Sequence, residues 1–223
     1  MLTIACVLKT GKFDNGKFKD IEYRPDHVLW LKKMVERYVT VPHRFVCLSN
    51  VDIPGCEVIP LVHNWPTWWS KIELFRPNLF DDKVFYQDLD TVIIKNIDDM
   101  VNYGGVGNFF VVLKNLSRGV GFGSGLMSWR GDYSQLYEIF KQNPDKYILD
   151  YSKHGSRWGD QGFLQERIVN AKYWQDLFPG TITSYYFDMK MKNKINPPER
   201  TKIVCFQGKP KPWEVKANWV PTH

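Results

Sequence analysis

The chain has 223 residues, of which 43% are hydrophobic and 24% are charged. This composition is typical of a globular protein and excludes a disordered or fibrous one. The net charge of +6 comes from 30 basic and 24 acidic side chains, and no apolar run reaches the roughly 20 residues of a membrane helix. The length suits one domain over residues 1–223. The N-terminus lacks the pattern of a signal peptide, so the sequence predicts a cytoplasmic protein.

Strand and helix patterns alternate in the first half of the chain. An apolar segment over 3–8 predicts a strand, and an amphipathic helix over 25–39 begins at Pro25. Further strands are predicted over 44–48, 57–61, 83–86 and 109–113. A short helix over 69–75 ends before Pro77. This alternation is typical of an α/β domain with a mostly parallel central sheet.

The second half of the chain is less regular. A glycine-rich stretch covers 119–125, within which 122–125 predicts a turn, and a last strand is predicted over 202–206. Helices are predicted over 133–141 and 160–170. No repeat, low-complexity tract or linker composition divides the chain, which favours a single domain.

Cysteine, histidine and charge distribution narrow the chemistry. The four cysteines form no Cys-x-x-Cys pair and the five histidines no His-x-x-x-His spacing, which argues against a disulfide framework or a zinc site. Residues 189–216 contain eight basic side chains and only two acidic ones, both glutamates. Such a stretch is typical of a solvated surface, or of a segment that binds a phosphate group, a nucleic acid or a membrane surface.

Two aspartates, Asp88 and Asp90, directly follow the strand predicted over 83–86. Ligands of a parallel sheet bind beyond the carboxyl ends of its strands, and both aspartates stand at such an end. Two carboxylates at this spacing can hold one Mg²⁺ or Mn²⁺ ion, which then binds the phosphates of a substrate. An Asp-x-Asp also arises by chance, and it is then a polar turn at the end of a strand.

Three later segments have both a structural and a functional interpretation. The segment 122–125, FGSG, is an ordinary hairpin or bulge, or a place where a ligand approaches the backbone closely. Asp160, in the segment 159–161, either caps a helix or belongs to a site. The segment 206–213, FQGKPKPW, fits a phosphate clamp or a basic surface loop. The glycine patterns of the common nucleotide-binding loops are absent.

Taken together and in order, these segments resemble the glycogenin-like enzymes of glycosyltransferase family 8. The resemblance covers about residues 70–213 and rests on the segments 70–71 (SK), 85–93 (FYQDLDTVI), 96–99 (NIDD), 122–125 (FGSG), 159–162 (GDQG) and 208–213 (GKPKPW). It implies a GT-A (Rossmann-like) fold and the transfer of a sugar from a uridine diphosphate (UDP) donor, with retention at the anomeric carbon and with Mn²⁺ or Mg²⁺ as cofactor. The acceptor, which is a carbohydrate, a protein or a lipid-linked molecule, stays open, as does a homodimer. No nucleic acid partner is expected.

The resemblance also implies roles for individual residues. Asp88 and Asp90 would hold the metal, and Asp160 and Gln161 would hold the donor sugar beside the reacting carbon as the catalytic pair. The remaining donor contacts would come from Lys71, Asp88, Leu89, Ser124, Gly125, Gly208 and Lys211.

Two positions depart from the pattern of the family. Cys205 stands where the family has a histidine as third metal ligand, and a soft thiolate suits Mn²⁺ or Mg²⁺ poorly. Gln207 lies two residues further along the same strand face and offers an oxygen instead, so the metal is expected to have two carboxylate ligands, with or without Gln207. Gly123 replaces an asparagine that faces the sugar, which leaves the identity of the sugar open.

Two other functions compete with this interpretation. A sugar-nucleotide pyrophosphorylase needs a glycine-rich basic loop after the first strand, but residues 8–12, LKTGK, contain a single glycine. A non-catalytic protein that binds a nucleotide sugar, a glycan or a nucleic acid through basic and aromatic side chains would leave the three aspartates at 88, 90 and 160 unexplained.

The tryptophans near Lys71 also have two interpretations. Trp65, Trp68 and Trp69 are candidates to stack on an acceptor sugar or to line the donor site, but large rings also fill cores, and a core position is favoured for Trp69.

Overall fold

The computed structural model describes residues 1–11, 22–152 and 158–222. Within these ranges the strands are β1 (Thr3–Leu8), β2 (Arg44–Ser49), β3 (Glu57–Pro60), β4 (Val84–Gln87), β5 (Thr91–Ile93), β6 (Phe109–Lys114), β7 (Phe122–Arg130), β8 (Lys172–Tyr173), β9 (Ile182–Ser184) and β10 (Ile203–Cys205). The α-helices are α1 (Pro25–Tyr38), α2 (Asp98–Val101), α3 (Ser134–Gln142), α4 (Pro144–Asp150), α5 (Gly159–Gln165) and α6 (Trp174–Leu177). Short 3₁₀ helices cover Thr67–Phe75, Lys190–Lys192 and Pro212–Glu214, and a π-helical turn covers Tyr185–Met189.

A seven-stranded sheet has the strand order β3-β2-β1-β4-β7-β6-β8. Strands β3, β2, β1 and β4 run parallel to one another, and β6 and β8 are also parallel. Strand β7 is antiparallel to both β4 and β6. The predicted α/β fold with a mostly parallel central sheet is therefore confirmed. In the part of the chain that the structure describes, no helix is long and apolar enough to cross a membrane.

The two faces of the sheet bury separate apolar layers. In β1, Ile4 and Cys6 point to one face and Ala5 to the other, as the two-residue period of a strand requires. Helix α1 covers the first face. Its apolar residues recur at helical spacing and pack in the same layer as Ile4 and Cys6. The 3₁₀ helix Thr67–Phe75 packs with α3 and α5 on the second face. Both layers hold the carboxyl ends of β1 and β4 in a fixed position.

The turn predicted over 122–125 is an irregular part of a strand rather than a hairpin. Strand β7 begins at Phe122, so the segment FGSG lies within a strand that pairs with β6 across an irregularity in register. Glycine disfavours a strand, but it is used where another group approaches closely. At Gly125 an added Cβ would lie 3.1 Å from Asp88 Oδ2. Close packing against Asp88, rather than a turn, explains this glycine.

A second sheet of three strands has the order β5-β10-β9. Strand β10 is antiparallel to β5, with Cys205 opposite Thr91, and parallel to β9. The pairing continues past the strand, where the Phe206 amide donates to the Asp90 carbonyl over 3.1 Å. This sheet therefore brings the segment after β10 beside the two aspartates that follow β4.

Candidate active site

A cavity of about 520 Å³ opens at the carboxyl ends of β1 and β4. Every site residue that the sequence predicted lines it: Lys71, Asp88, Leu89, Asp90, Ser124, Gly125, Asp160, Gln161, Cys205, Gln207, Gly208 and Lys211. These residues come from five separate parts of the chain. The structure thus brings together five of the six segments on which the resemblance rests, whereas the segment 96–99 does not line the cavity.

Lys71 stands between two carboxylates. Its Nζ lies 3.0 Å from Asp88 Oδ1 and 3.4 Å from Asp160 Oδ2, and it donates to Ser124 Oγ over 3.3 Å. Burial alone would lower the pKa of Lys71, but Asp160 and then Asp88 outweigh it, so the pKa is raised above its usual value. The side chain is therefore a permanent cation that joins the 3₁₀ helix Thr67–Phe75 to α5 and to the end of β4.

Asp88 is held by its backbone and by both carboxylate oxygens. Its amide donates to the Gly125 carbonyl over 2.9 Å, and the Tyr86 hydroxyl donates to its Oδ1. Burial and the charge of Asp90 raise the pKa of Asp88, while Lys71 opposes them. Burial, and then Asp88, raises the pKa of Tyr86, so this phenol remains a hydrogen-bond donor.

Asp90 is bound by two side chains that meet at one oxygen. Lys211 Nζ lies 2.5 Å and the Tyr23 hydroxyl 2.9 Å from Asp90 Oδ2. The Tyr23 ring meets Trp213 edge to face, with 5.6 Å between ring centroids. Burial, followed by the charge of Asp90, raises the pKa of Tyr23. Tyr23 was not predicted as a site residue, because no local pattern distinguishes it from the other tyrosines; only the fold brings it to Asp90.

Neither proposed third metal ligand is free to coordinate as the side chains stand. Burial, with smaller effects from Asp90 and Asp88, raises the pKa of Cys205, so its thiol keeps its proton. The Oε1 of Gln207 accepts a hydrogen bond of 2.6 Å from Ser184. Within the described ranges, no three His, Cys, Asp or Glu side chains converge where they could hold a metal ion. Two carboxylates that each contact a lysine, beside a soft sulfur ligand, do not fit a divalent Mn²⁺ or Mg²⁺ ion in this arrangement.

Two more cations line the cavity, and the sequence analysis did not single them out. Lys9 follows β1 and donates to Asn64 Oδ1 over 2.6 Å, and Arg118 lies in the loop between β6 and β7. With Lys71 and Lys211, they give the described part of the cavity wall four cations against the three aspartates. Their positions after a strand and in a glycine-rich loop could have indicated them.

Two tryptophans stand together on the cavity wall. The ring centroids of Trp68 and Trp158 lie 5.1 Å apart with planes at 59°. Thr67 precedes Trp68 with a φ of +46°, a strained value for a β-branched residue. Of the two interpretations of the tryptophans, Trp68 fits the one that places it at the site, because it lines the cavity. Trp65 and Trp69 are buried in the core.

No protein-family model matches the chain, and no curated protein matches it in sequence. Solved structures do match it. The galactosyltransferase LgtC in complex with donor and acceptor sugar analogues superposes with a TM-score of 0.61 at 15% identity, over 95% of this chain and 89% of LgtC. The chain has the GT-A glycosyltransferase fold.

Two further matches support the same fold. The glycosyltransferase GlyE of Streptococcus pneumoniae TIGR4 gives a TM-score of 0.60 at 15% identity, over 96% of this chain and 56% of GlyE. The bifunctional glycosyltransferase WbbM gives 0.54 at 11% identity, over 95% of this chain and 46% of WbbM. The chain thus spans about half the length of these two proteins. The resemblance found in the sequence is confirmed for the fold.

Proposed function

We propose that the protein is a glycosyltransferase that moves a sugar from a UDP-sugar donor to an acceptor. The observation that carries this proposal is the contact of Lys71 with both Asp88 and Asp160, at the carboxyl end of β4 in a GT-A fold. This contact places a cation, which can bind a diphosphate, beside the carboxylate of Asp160, which can stabilise a positively charged sugar. Ligands of open α/β sheets bind at this edge.

The cations of the cavity suit the leaving group. As the bond between sugar and diphosphate breaks, the diphosphate gains negative charge, and fixed positive groups accelerate the reaction by stabilising that charge as it develops. Lys71 and Lys211 both line the cavity and are both buried. Their charges act at short range through a medium that screens them less than water does. We assign the diphosphate to these two lysines, with Gly208 and the backbone near Leu89, Ser124 and Gly125 around the donor.

Asp160 and Gln161 suit the sugar side of the reaction. Both lie in the first turn of α5 and line the cavity, and Asp160 is held by Lys71. If ionised, the carboxylate of Asp160 favours the positive, oxocarbenium-like sugar of glycosyl transfer. The Gln161 amide can donate hydrogen bonds to the hydroxyl groups of the sugar and accept them. Trp68 and Trp158 offer flat surfaces on which an acceptor sugar can stack.

The finer parts of the resemblance stay predictions. These are retention at the anomeric carbon and the UDP donor. The resemblance also implies Mn²⁺ or Mg²⁺ at Asp88 and Asp90, but the lysine contacts of both carboxylates do not favour it. The identity of the donor sugar and of the acceptor stays open, and the replacement of an asparagine by Gly123 bears on the former.

The test is turnover of UDP-sugars by the wild type and by Asp160→Asn. UDP release from a panel of UDP-hexoses, with and without mixed carbohydrate acceptors, should fall by about 100-fold in the variant, because a charge that stabilises the transition state is lost. UDP binding, measured by calorimetry, should change little. Asp176→Asn is the matched control, because Asp176 pairs with Lys114 at the surface.

Three outcomes decide the matter. Turnover that depends on Asp160 supports a transferase. UDP-sugar binding without turnover in any condition indicates a binding protein on the same fold. Absence of both UDP and UDP-sugar binding would contradict the proposal.

A further inference from the structure

The carboxylate of Asp90, which the resemblance assigns to a divalent ion, is already engaged. Lys211 Nζ and the Tyr23 hydroxyl both contact its Oδ2, at 2.5 and 2.9 Å. A carboxylate oxygen has about two lone-pair positions, so these two donors use the capacity of Oδ2. A metal ion at this oxygen would have to displace one of them.

Asp88 is engaged in the same way. Its Oδ1 contacts Lys71 Nζ at 3.0 Å and accepts from the Tyr86 hydroxyl, and its Oδ2 accepts from the same Nζ over 3.2 Å. Three of the four carboxylate oxygens of the Asp-x-Asp motif therefore have a hydrogen-bond donor. Two of these donors carry a full positive charge.

Displacing Lys211 would be costly because the pair is buried. The Lys211 and Asp90 side chains are 6% and 11% exposed. A buried charge that loses its partner destabilises the protein strongly, and a divalent cation beside the displaced ammonium would add repulsion between like charges. The remaining ligand positions offer little in return. Asp90 Oδ1 is a single carboxylate oxygen, Cys205 has a soft thiol, and Gln207 Oε1 is bonded to Ser184.

The charge of the described cavity wall does not require a metal to attract a diphosphate. Lys9, Lys71, Arg118 and Lys211 outnumber Asp88, Asp90 and Asp160 by one. In a site with too few fixed cations, a divalent ion commonly supplies the positive charge. Here the lysines can supply it, since ammonium groups bind phosphate as point charges.

We propose that this protein binds the diphosphate of its donor directly through lysine ammonium groups, with Lys211 as the main contact, and needs no divalent ion. Asp90 holds Lys211 in place, and the ammonium, which has three N–H donors, keeps this contact while it also donates to the diphosphate. Tyr23 remains bonded to Asp90 and keeps the carboxylate in place. The proposal rests on the proposed function, because it names what holds the leaving group of that reaction.

The test is calorimetric titration of UDP in EDTA and in Mn²⁺. We expect the two dissociation constants to agree within about threefold, since the contacts are ammonium groups. Lys211→Met should weaken binding by roughly 10- to 100-fold in both conditions, the range for a hydrogen bond to a charged group. Lys211→Arg keeps the cation and should retain most of the affinity.

Asp90→Asn distinguishes the two arrangements by the sign of its effect. If lysine holds the diphosphate, removing the charge that competes for Lys211 leaves UDP affinity unchanged or increases it. If a metal holds the diphosphate, the same change removes a ligand and abolishes binding. Lys202→Met and Asp99→Asn are matched controls, because this lysine–aspartate pair of 2.7 Å lies at the surface, and neither should alter UDP binding.

Direct binding of Mn²⁺ gives a readout that does not depend on UDP. Electron paramagnetic resonance of Mn²⁺ titrated with the protein should show no saturable site at micromolar concentration. UDP affinity that rises tenfold or more with Mn²⁺, and loses that gain in Asp90→Asn, would overturn the lysine proposal and leave the proposed function intact. UDP that binds in neither condition would overturn both.

The midpoint of urea unfolding identifies any variant that fails to fold, and the wild-type comparison of EDTA with Mn²⁺ does not depend on a variant.

Discussion

Lys71 and Asp160 form a buried ion pair, with Nζ 3.4 Å from Oδ2 and side chains that are 11% and 6% exposed. The lysine belongs to the 3₁₀ helix Thr67–Phe75 and the aspartate to the first turn of α5. Because the same ammonium also contacts Asp88, one cation compensates two carboxylates that would otherwise repel each other. The pair therefore contributes to the stability of the fold as well as to the site.

Replacing Lys71 by methionine should destabilise the protein. The change leaves Asp160 and Asp88 without their common cation, and removing one partner of a buried pair costs about 3–5 kcal/mol. The measurement is urea unfolding at neutral pH. Lys146→Met is the control, because Lys146 pairs with Asp150 on the surface of α4, and its unfolding midpoint should not change. Equal stability of Lys71→Met and wild type would show that the pair adds nothing.

Gly125→Ala should weaken donor binding without unfolding the protein. An added Cβ would lie 3.1 Å from Asp88 Oδ2, so the carboxylate must shift by a few tenths of an ångström. UDP affinity should fall by roughly tenfold, since small displacements in a site are costly. Gly107→Ala, where nothing lies within 4 Å of the added Cβ, should bind UDP as the wild type does. Unchanged affinity in Gly125→Ala would mean that Asp88 does not contact the donor.

Gln87→Met should make the protein more stable. The Gln87 side chain is fully buried, and neither atom of its amide has a hydrogen-bond partner among the described residues. An unpaired buried amide costs about 1–3 kcal/mol, and methionine fills a similar volume without that cost. Urea unfolding should show a gain of about 1–2 kcal/mol. A loss of stability would indicate that the amide binds an internal water molecule.

The carboxylate of Asp98 should make the free energy of unfolding depend on pH in the acid range. Its oxygens accept from the Thr40 amide at 2.8 Å, the Thr40 hydroxyl at 2.5 Å and Asn96 Nδ2 at 2.8 Å. Burial opposes ionisation, but the hydrogen bonds from Asn96 and Thr40 outweigh it and lower the pKa of Asp98 to about 2. Because the folded pKa lies below the unfolded value of about 3.9, the contribution is present above about pH 4 and lost as the pH falls through 2.

Asp98→Asn tests this contribution. At pH 7 it should lower the free energy of unfolding by about 1–2 kcal/mol, allowing for partial exposure. Urea unfolding at several pH values should show the difference from wild type shrinking from about pH 4 to pH 2. Asp150→Asn, at an exposed pair, should show little difference at any of them. A difference that persists in acid would assign the effect to packing.

Much of the central sheet was predictable, because the two-residue period of β1 and the helical period of α1 are both local patterns. The positions of Asp88 and Asp90 were predictable from a local pattern too, since a buried strand directly precedes them. The antiparallel strand β7 was not predictable from residues 119–125, because glycines that permit close packing look like glycines that make a turn. Tyr23 could not be predicted either, since its contact with Asp90 joins residues far apart in sequence.

Strand β10 lies between β5 and β9, which has a consequence for how the chain is made. During translation β5 leaves the ribosome long before β10, so its edge has no partner until the end of the chain follows. For the same interval Asp90 lacks both Lys211 and the amide of Phe206. The carboxylates of the site are therefore synthesised early and the lysine that neutralises Asp90 late. Only a chain extended past Lys211 has a complete site, so a product that ends before this residue keeps Lys71 beside Asp88 but leaves Asp90 without its lysine.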